Sequence, residues 1–279
     1  MSIQKVSTIL KNAGKEGYGV TAFNCFNYES IAWLIETAEE EQTPVIVMLY
    51  PAMSKAISFS SFTAIAKDLA AKASVPVGIH LDHSNSFEQI MESIKAGFQT
   101  VMIDGSALEF EKNVRITADV VRSAHALDVD VEAELGRVGS AANLNDFTNT
   151  DNYTDVNQAV EFIERTGVDC LAVSIGSAHG NYIATPKLDI KRLEEINNAT
   201  DLPLVLHGGT GIPDEQIREA VKAGINKLNI GTEYNQKFYR IIGDIIKEQK
   251  SHASIFDCLN MAKPEIKEYL RSKIRLLKV

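Results

Sequence analysis

Residues 204–231 read LVLHGGTGIPDEQIREAVKAGINKLNIG, and the order of residue types in them decides the fold. An aliphatic run at 204–206 leads into a glycine-rich turn, then an amphipathic stretch, then a second aliphatic run at 227–230. The middle stretch opens with Pro213, carries Asp214 and Glu215 in its first turn and stops near Gly224, which is how a helix begins and ends. The unit is therefore strand–turn–helix–strand. Outward from it, similar runs rich in Val, Ile and Leu recur at 18–23, 45–50, 77–81, 100–103, 129–134 and 170–175. Their hydrophobicity is continuous rather than alternating, which fits strands buried on both faces of a parallel sheet. Amphipathic stretches lie between them. At 86–98, SFEQIMESIKAGF has Ser86 as its N-cap and Gly97 as its stop. Eight such strands alternating with helices predict an α/β protein, a (β/α)8 TIM barrel spanning residues 1–279 as a single domain. The competing architecture, an open doubly wound sheet, usually carries GxGxxG after its first strand, and this chain has none there. The tail at 251–279 reads as helical and charged, suited to capping the barrel or meeting a neighbour.

Composition narrows the function. A net charge of −9 argues against general affinity for nucleic acid or an anionic membrane, so an anionic substrate needs a local site. The three cysteines, Cys25, Cys170 and Cys258, are far apart and form no CxxC pair, which suggests neither a disulfide framework nor a cysteine zinc site. The N-terminal residues lack a signal-type apolar core and no run reaches membrane-spanning length, so a cytoplasmic protein is expected.

The chemistry of a TIM barrel sits at the C-terminal ends of its strands, and the unusual polar residues of this chain collect there. Strand three ends in Asp82 and His83, strand four at Asp104, strand five in Glu132 and Glu134, strand six runs to His179, and strand seven ends at His207. Any one of these histidines alone reads more naturally as a hydrogen-bonded core residue. Three in register, out of six in the chain, read as a catalytic zinc site: three imidazoles and one open tetrahedral position. His80 is set apart by strand alternation and reads as packing. His125 and His252 fall in helical stretches and read as surface or structural. Two segments read as phosphate cradles: Gly208, Gly209, Thr210 and Gly211 before a helix N-terminus, and Asn229, Ile230, Gly231 and Thr232 after strand eight.

In this order, HLDH at 80–83, VEAELG at 131–136, HG at 179–180, LHGGTGIPDEQI at 206–217 and NIGTE at 229–233 resemble the class II fructose-bisphosphate and tagatose-bisphosphate aldolases. The resemblance runs from AFNCFNYES at 22–30 to about Phe238. It implies zinc held by His83, His179 and His207, with Glu134 near a displaced or second metal position. It implies Asp82 as the acid/base partner of the substrate's C4 oxygen. Gly180, Gly208, Gly209, Thr210, Asn229, Ile230, Gly231 and Thr232 would hold the dihydroxyacetone phosphate half of a ketose phosphate. Members are commonly homodimers or homotetramers, and many bind a monovalent cation near the phosphate.

The sequence also departs from that pattern. The family usually follows ELG with adjacent acids on a mobile loop, one of them a proton carrier. Here ELGRVGSAANLNDF places Ala141, Ala142 and Asn143 where the acids are expected, with Asp146 the nearest carboxylate. Ile183 replaces a lysine frequent after the tyrosine of HGxY. Gly231 is closer to the small residue of tagatose-bisphosphate enzymes, and MLYPAMS at 48–54 lacks a frequent serine. These changes point to a tagatose- or fructose-type bisphosphate, or to a ketose with another C6 anion such as a sulfo-sugar. A catalytically weak zinc sugar-phosphate binding protein is the reading from another class. A metal-dependent hydrolase would want HxH on the first strand, where Phe23-Asn24-Cys25 stands.

Overall fold

In the computed structural model, which describes residues 2–249 and 253–279, the aliphatic runs become strands that pair in parallel until the ring closes. The strands are β1 (Val20–Asn24), β2 (Val45–Leu49), β3 (Val77–Ser84), β4 (Thr100–Ile103), β5 (Asp130–Leu135), β6 (Cys170–Val173), β7 (Leu204–Leu206) and β8 (Ile225–Ile230). They form a closed barrel in sequence order, and β8 pairs back onto β1. The expected TIM barrel is thus the fold. Its helices are α1 (Val6–Glu16), α2 (Tyr28–Glu40), α3 (Phe59–Lys72), α4 (Phe87–Ala96), α5 (Phe110–His125), α6 (Leu144–Thr148), α7 (Val156–Thr166), α8 (Ile190–Ala199), α9 (Asp214–Lys222), α10 (Thr232–Gln249) and α11 (Ile255–Leu276). Gly97 ends α4 in the left-handed region and Ser86 caps its start, as their residue types require.

Side chains alternate along each strand, so the barrel has two cores. Outward residues such as Phe23, Val47, Ile79, Leu81, Val131, Leu171 and Leu206 pack beneath the helices. Inward residues Val20, Ala22, Ile46, Met48, Cys170, Ala172 and Val205 pack together with Val6, Ile9, Leu10 and Ala13 of α1, which closes the N-terminal end. All three cysteines are unpaired and buried. The C-terminal helix α11 lies along α2 and α10. It is tied down by ion pairs from Lys267 and Arg271 to Glu40 and from Arg275 to Glu41. Among the described residues, no helix is long and apolar enough to cross a membrane. His125 ends α5 half-exposed, with Nε2 2.8 Å from Asp169; His252 lies outside the described residues.

Candidate active site

Strand alternation should send Asp82 and His83 to opposite faces, yet both reach the barrel mouth. The ladder between β3 and β4 shifts register between Leu81 and Ser84, and His83 takes a left-handed backbone with φ 41°. A bulge of this kind re-aims a side chain. A histidine held at positive φ is unusual enough to mark a functional constraint.

The three strand-end histidines converge. His83 Nε2 lies 3.1 Å from His179 Nε2, and the ring of His207 stands 4.5 Å from that of His83 and 5.7 Å from that of His179. One ligand atom from each of the three falls within 4.8 Å of the others. The opposite nitrogens are anchored: His83 Nδ1 sits 3.0 Å from Asp104, and His207 Nε2 sits 3.0 Å from Glu132. Anchoring of this type fixes a ring and leaves its other nitrogen as a lone-pair donor. The unanchored His207 Nδ1 and Glu134 Oε2 are both buried without a hydrogen-bond partner, 3.3 Å apart. Buried polar atoms without partners are costly, and a cation between them would satisfy both. This donor set fits a divalent metal. His83, Asp104 and Glu134 form a second group within the same reach.

The electrostatics agree with that geometry. Burial and the neighbouring His83 and His207 push His179 down to about 3, so it is a neutral imidazole. Burial opposes charge on His207, but the carboxylates of Glu132 and Glu134 outweigh it and raise the group to about 10. Two carboxylates that favour a cation on this imidazole favour a metal cation beside it equally.

Beneath the histidines, inside the barrel, lies a buried cluster whose partners no local pattern announces. Lys227 Nζ is 2.6 Å from Glu132 Oε2 and 3.4 Å from His80 Nε2, and all three side chains are fully buried. His80 therefore stays out of the three-histidine group, but not by alternation as expected: the bulge turns His83 inward as well, and His80 is set apart by its depth and its contact with Lys227. Burial, then Lys227, push it down to about 3. The lysine occupies one Glu132 oxygen while His207 meets the other.

Asp82 is 3% exposed and accepts hydrogen bonds from Asn24 Nδ2 at 2.7 Å and Asn229 Nδ2 at 3.1 Å. Burial opposes its charge, but His83, His207 and the Asn24 donor prevail and hold the carboxyl below its usual value. The amide oxygens of Asn24 and Asn229 remain buried and without partners. Asp82, His83, Asp104, His179, Asn24 and Asn229 line a cavity of about 820 Å³ at the C-terminal mouth. Gly180 also lines it, as do Gly208, Thr210, Gly231 and Thr232 of the two glycine segments. Gly208 has φ 69° and a Cβ there would strike the Ala178 backbone, so only glycine fits. Gly209 and Ile230 stand behind the wall. The Gly209 amide donates to the Asn229 carbonyl at 3.1 Å, and Ile230 alternates outward into the helix-facing core. His207 and Glu134 lie deeper, behind the cavity surface. Thr210 Oγ1 accepts from the Glu233 amide at 3.1 Å and so caps the start of α10.

The loop after β5 is folded against the His179 segment. His179 N donates to the Gly139 carbonyl, the Ala141 amide donates to the His179 carbonyl, and Ala141 is buried with Phe147, Ala178 and Tyr182. Asp146 turns into the loop. It accepts from the Ser140 amide at 2.8 Å and from Asn143 Nδ2 at 3.0 Å. Among the described residues, the carboxylates lining the cavity are Asp82 and Asp104 alone.

A closed barrel with convergent imidazoles and carboxylates at its C-terminal rim is the architecture of a barrel enzyme with a candidate metal site. The family is shown by sequence: the fructose-bisphosphate aldolase class-II family matches residues 4–279, and the chain belongs to it, which makes it a lyase. Three solved structures resemble it. The YdjI aldolase from Escherichia coli K12 is 35% identical, with 99% of this chain and 97% of that one covered at TM-score 0.87. A structure from Coccidioides immitis, described provisionally as a fructose-1,6-bisphosphate aldolase, is 25% identical over 98% and 96% of the two chains at TM-score 0.86. The fructose-bisphosphate aldolase of Campylobacter jejuni, 21% identical over 99% and 96% at TM-score 0.83, shares the fold.

Proposed function

We propose that this chain, acting as one domain, is a zinc-dependent aldolase that cleaves a ketose phosphate to dihydroxyacetone phosphate and an aldehyde, and runs the condensation in reverse. His83, His179 and His207 would hold the zinc, with Glu134 serving a displaced or second metal position. Zinc, when bound there, supplies a Lewis acid for the negative charge that develops on the ketone fragment. Asp82 takes the C4 hydroxyl proton as the C3–C4 bond breaks, and Asn24 and Asn229 hold its carboxylate for that task. The two unpartnered amide oxygens accept hydrogen bonds from substrate hydroxyls. Backbone amides around Gly180, Gly208 and Thr210, and around Asn229, Gly231 and Thr232, receive the C1 phosphate at the start of α10, with Gly209 and Ile230 shaping the two turns from behind. On the family frame the substrate is tagatose- or fructose-1,6-bisphosphate, or a ketose with another C6 anion such as a sulfo-sugar. A monovalent cation belongs beside the phosphate cradle on the same frame.

The observation that carries this reading is the ionised Asp82 fixed by two amides beside three metal-ready imidazoles. A second reading, a zinc sugar-phosphate binding protein with little turnover, draws on the loop at 137–147, which turns its carboxylate away from the cavity. One experiment separates them: metal analysis of the purified protein, with triose phosphate release measured before chelation, after it, and after zinc is restored. Release that chelation abolishes and zinc restores is the expected result. Zinc binding without release selects the second reading, and full activity in metal-free protein removes both. We further propose a cytoplasmic homodimer or homotetramer without nucleic-acid or membrane partners. The net charge of −9 and the exposed Ile255 and Phe256 of α11 support this.

A further inference from the structure

The cavity at the barrel mouth has an anion cradle along one wall and no cation on any other. Among the described residues lining it there is neither lysine nor arginine, and its carboxylates are Asp82 and Asp104. The C1 phosphate is served without a basic side chain, by the glycine turn after β7 and the first turn of α10. The remaining wall is neutral. One face of α10 presents Thr232, Asn235, Gln236 and Tyr239 to the cavity, at the i, i+3, i+4, i+7 spacing of a single helical stripe. Across the mouth, Tyr50 and Met53 in the turn after β2 complete it. Tyr50 is 43% exposed and Tyr239 67% exposed, so both rings are open to a ligand.

These groups match hydroxyls, not a second phosphate. Primary amides and phenols both donate and accept, as sugar hydroxyls do, and tyrosine adds an apolar face for the carbon chain. A phosphate or sulfonate on this wall would shed water without gaining a charged donor from it.

We infer that the substrate is a ketose 1-phosphate whose tail beyond C4 is an uncharged polyhydroxyl chain. This rests on the aldolase reading, keeps its ketose 1-phosphate, and replaces the C6 anion of the family frame with an uncharged tail. The C3–C4 bond breaks, and the C4 hydroxyl gives its proton to Asp82 and becomes the aldehyde carbonyl. The bonding pair stays on C3 as the enediolate, which takes a proton at C3 to give dihydroxyacetone phosphate. The other product is an uncharged polyhydroxy aldehyde. Compared with a 1,6-bisphosphate, this substrate uses the same cradle and the same Asp82 but needs no cation at its far end.

The test is triose phosphate release by the zinc-loaded full chain from ketose 1-phosphates of six or more carbons, from fructose and tagatose 1,6-bisphosphates, and from a 6-sulfo-ketose 1-phosphate. The monophosphates should exceed both doubly anionic classes in kcat/KM by about tenfold or more, the scale of an uncompensated charged group. A preference for a bisphosphate or the sulfo-sugar overturns the inference and leaves the aldolase reading standing. Silence on every substrate overturns both. Gln236→Arg supplies the missing cation on the wall. It should move the bisphosphate-to-monophosphate ratio upward by about tenfold, and a ratio unchanged by it overturns the assignment of this wall to the tail.

Discussion

The inside of the barrel has two ends built on one backbone pattern with almost no chemistry in common. At the N-terminal end the inward residues are Val20, Ala22, Ile46, Met48, Cys170, Ala172 and Val205, sealed by α1. At the C-terminal end they include Asn24, Asp82, Glu132, His207, Lys227 and Asn229. The change happens within single strands: Ala22 gives way to Asn24 in β1, and beyond β7 Val205 gives way to His207. Alternation fixes only which residues face the axis. What they contribute depends on height along it. The lower end supplies hydrophobic burial. The upper end buries charges that cost stability unless paired, a cost natural proteins retain at functional sites.

The largest expected effect tests whether the upper end does chemistry. Asp82→Ala should lower turnover by about 10²–10⁴-fold, the usual contribution of a positioned acid/base group. Metal content and the unfolding midpoint should hold. A variant within a few-fold of wild type would show that another group handles the C4 proton.

Next comes the buried pair beneath the metal-ready imidazoles. Lys227→Met strands the Glu132 carboxylate in the barrel, and should cost about 3–5 kcal/mol in denaturant unfolding. Replacing both residues, Lys227→Met with Glu132→Leu, removes the stranded charge and should recover most of that loss. The double variant also strips His207 Nε2 of its carboxylate partner, and metal affinity should stay about 10–100-fold weaker. Recovery of stability together with full metal affinity would mean that Glu132 serves the core and not the histidine. The lower end supplies the control: Met48→Ala should cost about 2–5 kcal/mol through its cavity, with metal affinity unchanged.

The same division explains what could be read from the sequence. The strands were legible because both their faces are apolar over most of their length. Their ends were less so. β8 begins at Ile225 rather than the expected 227: the polar Asn226 interrupts the apolar run, although its Oδ1 accepts from the Leu204 amide of the neighbouring strand. β3 runs on to Ser84, beyond the expected 81, through the bulge that turns His83 inward. The three histidines stood out by position. Asn24 did not, because its partner Asp82 is 58 residues away and nothing local marks it. The polar stripe of α10 reads as an ordinary solvent face until the cavity beside it is seen.

The smallest expected effect concerns a carboxylate close to the site in sequence but directed away from it. Asp146 lies in the stretch where the family keeps its loop acids, yet its oxygens take the Ser140 amide and the Asn143 side chain, with Gly139 packed against the carboxyl. Through Gly139 and Ala141 this loop holds the His179 backbone. Asp146 should therefore behave like a residue of the lower end, contributing order without handling a proton. Asp146→Asn keeps one acceptor and loses the charge, so it should cost about 1 kcal/mol of stability, the net value of one hydrogen bond, with turnover per folded molecule unchanged. Measured at full zinc loading, a fall in turnover of about 10²-fold or more without metal loss would place this carboxylate at the substrate. The loop would then have to open from the arrangement seen here. The contrast would no longer be between the two ends of one barrel, but between a rigid barrel and a loop that completes it.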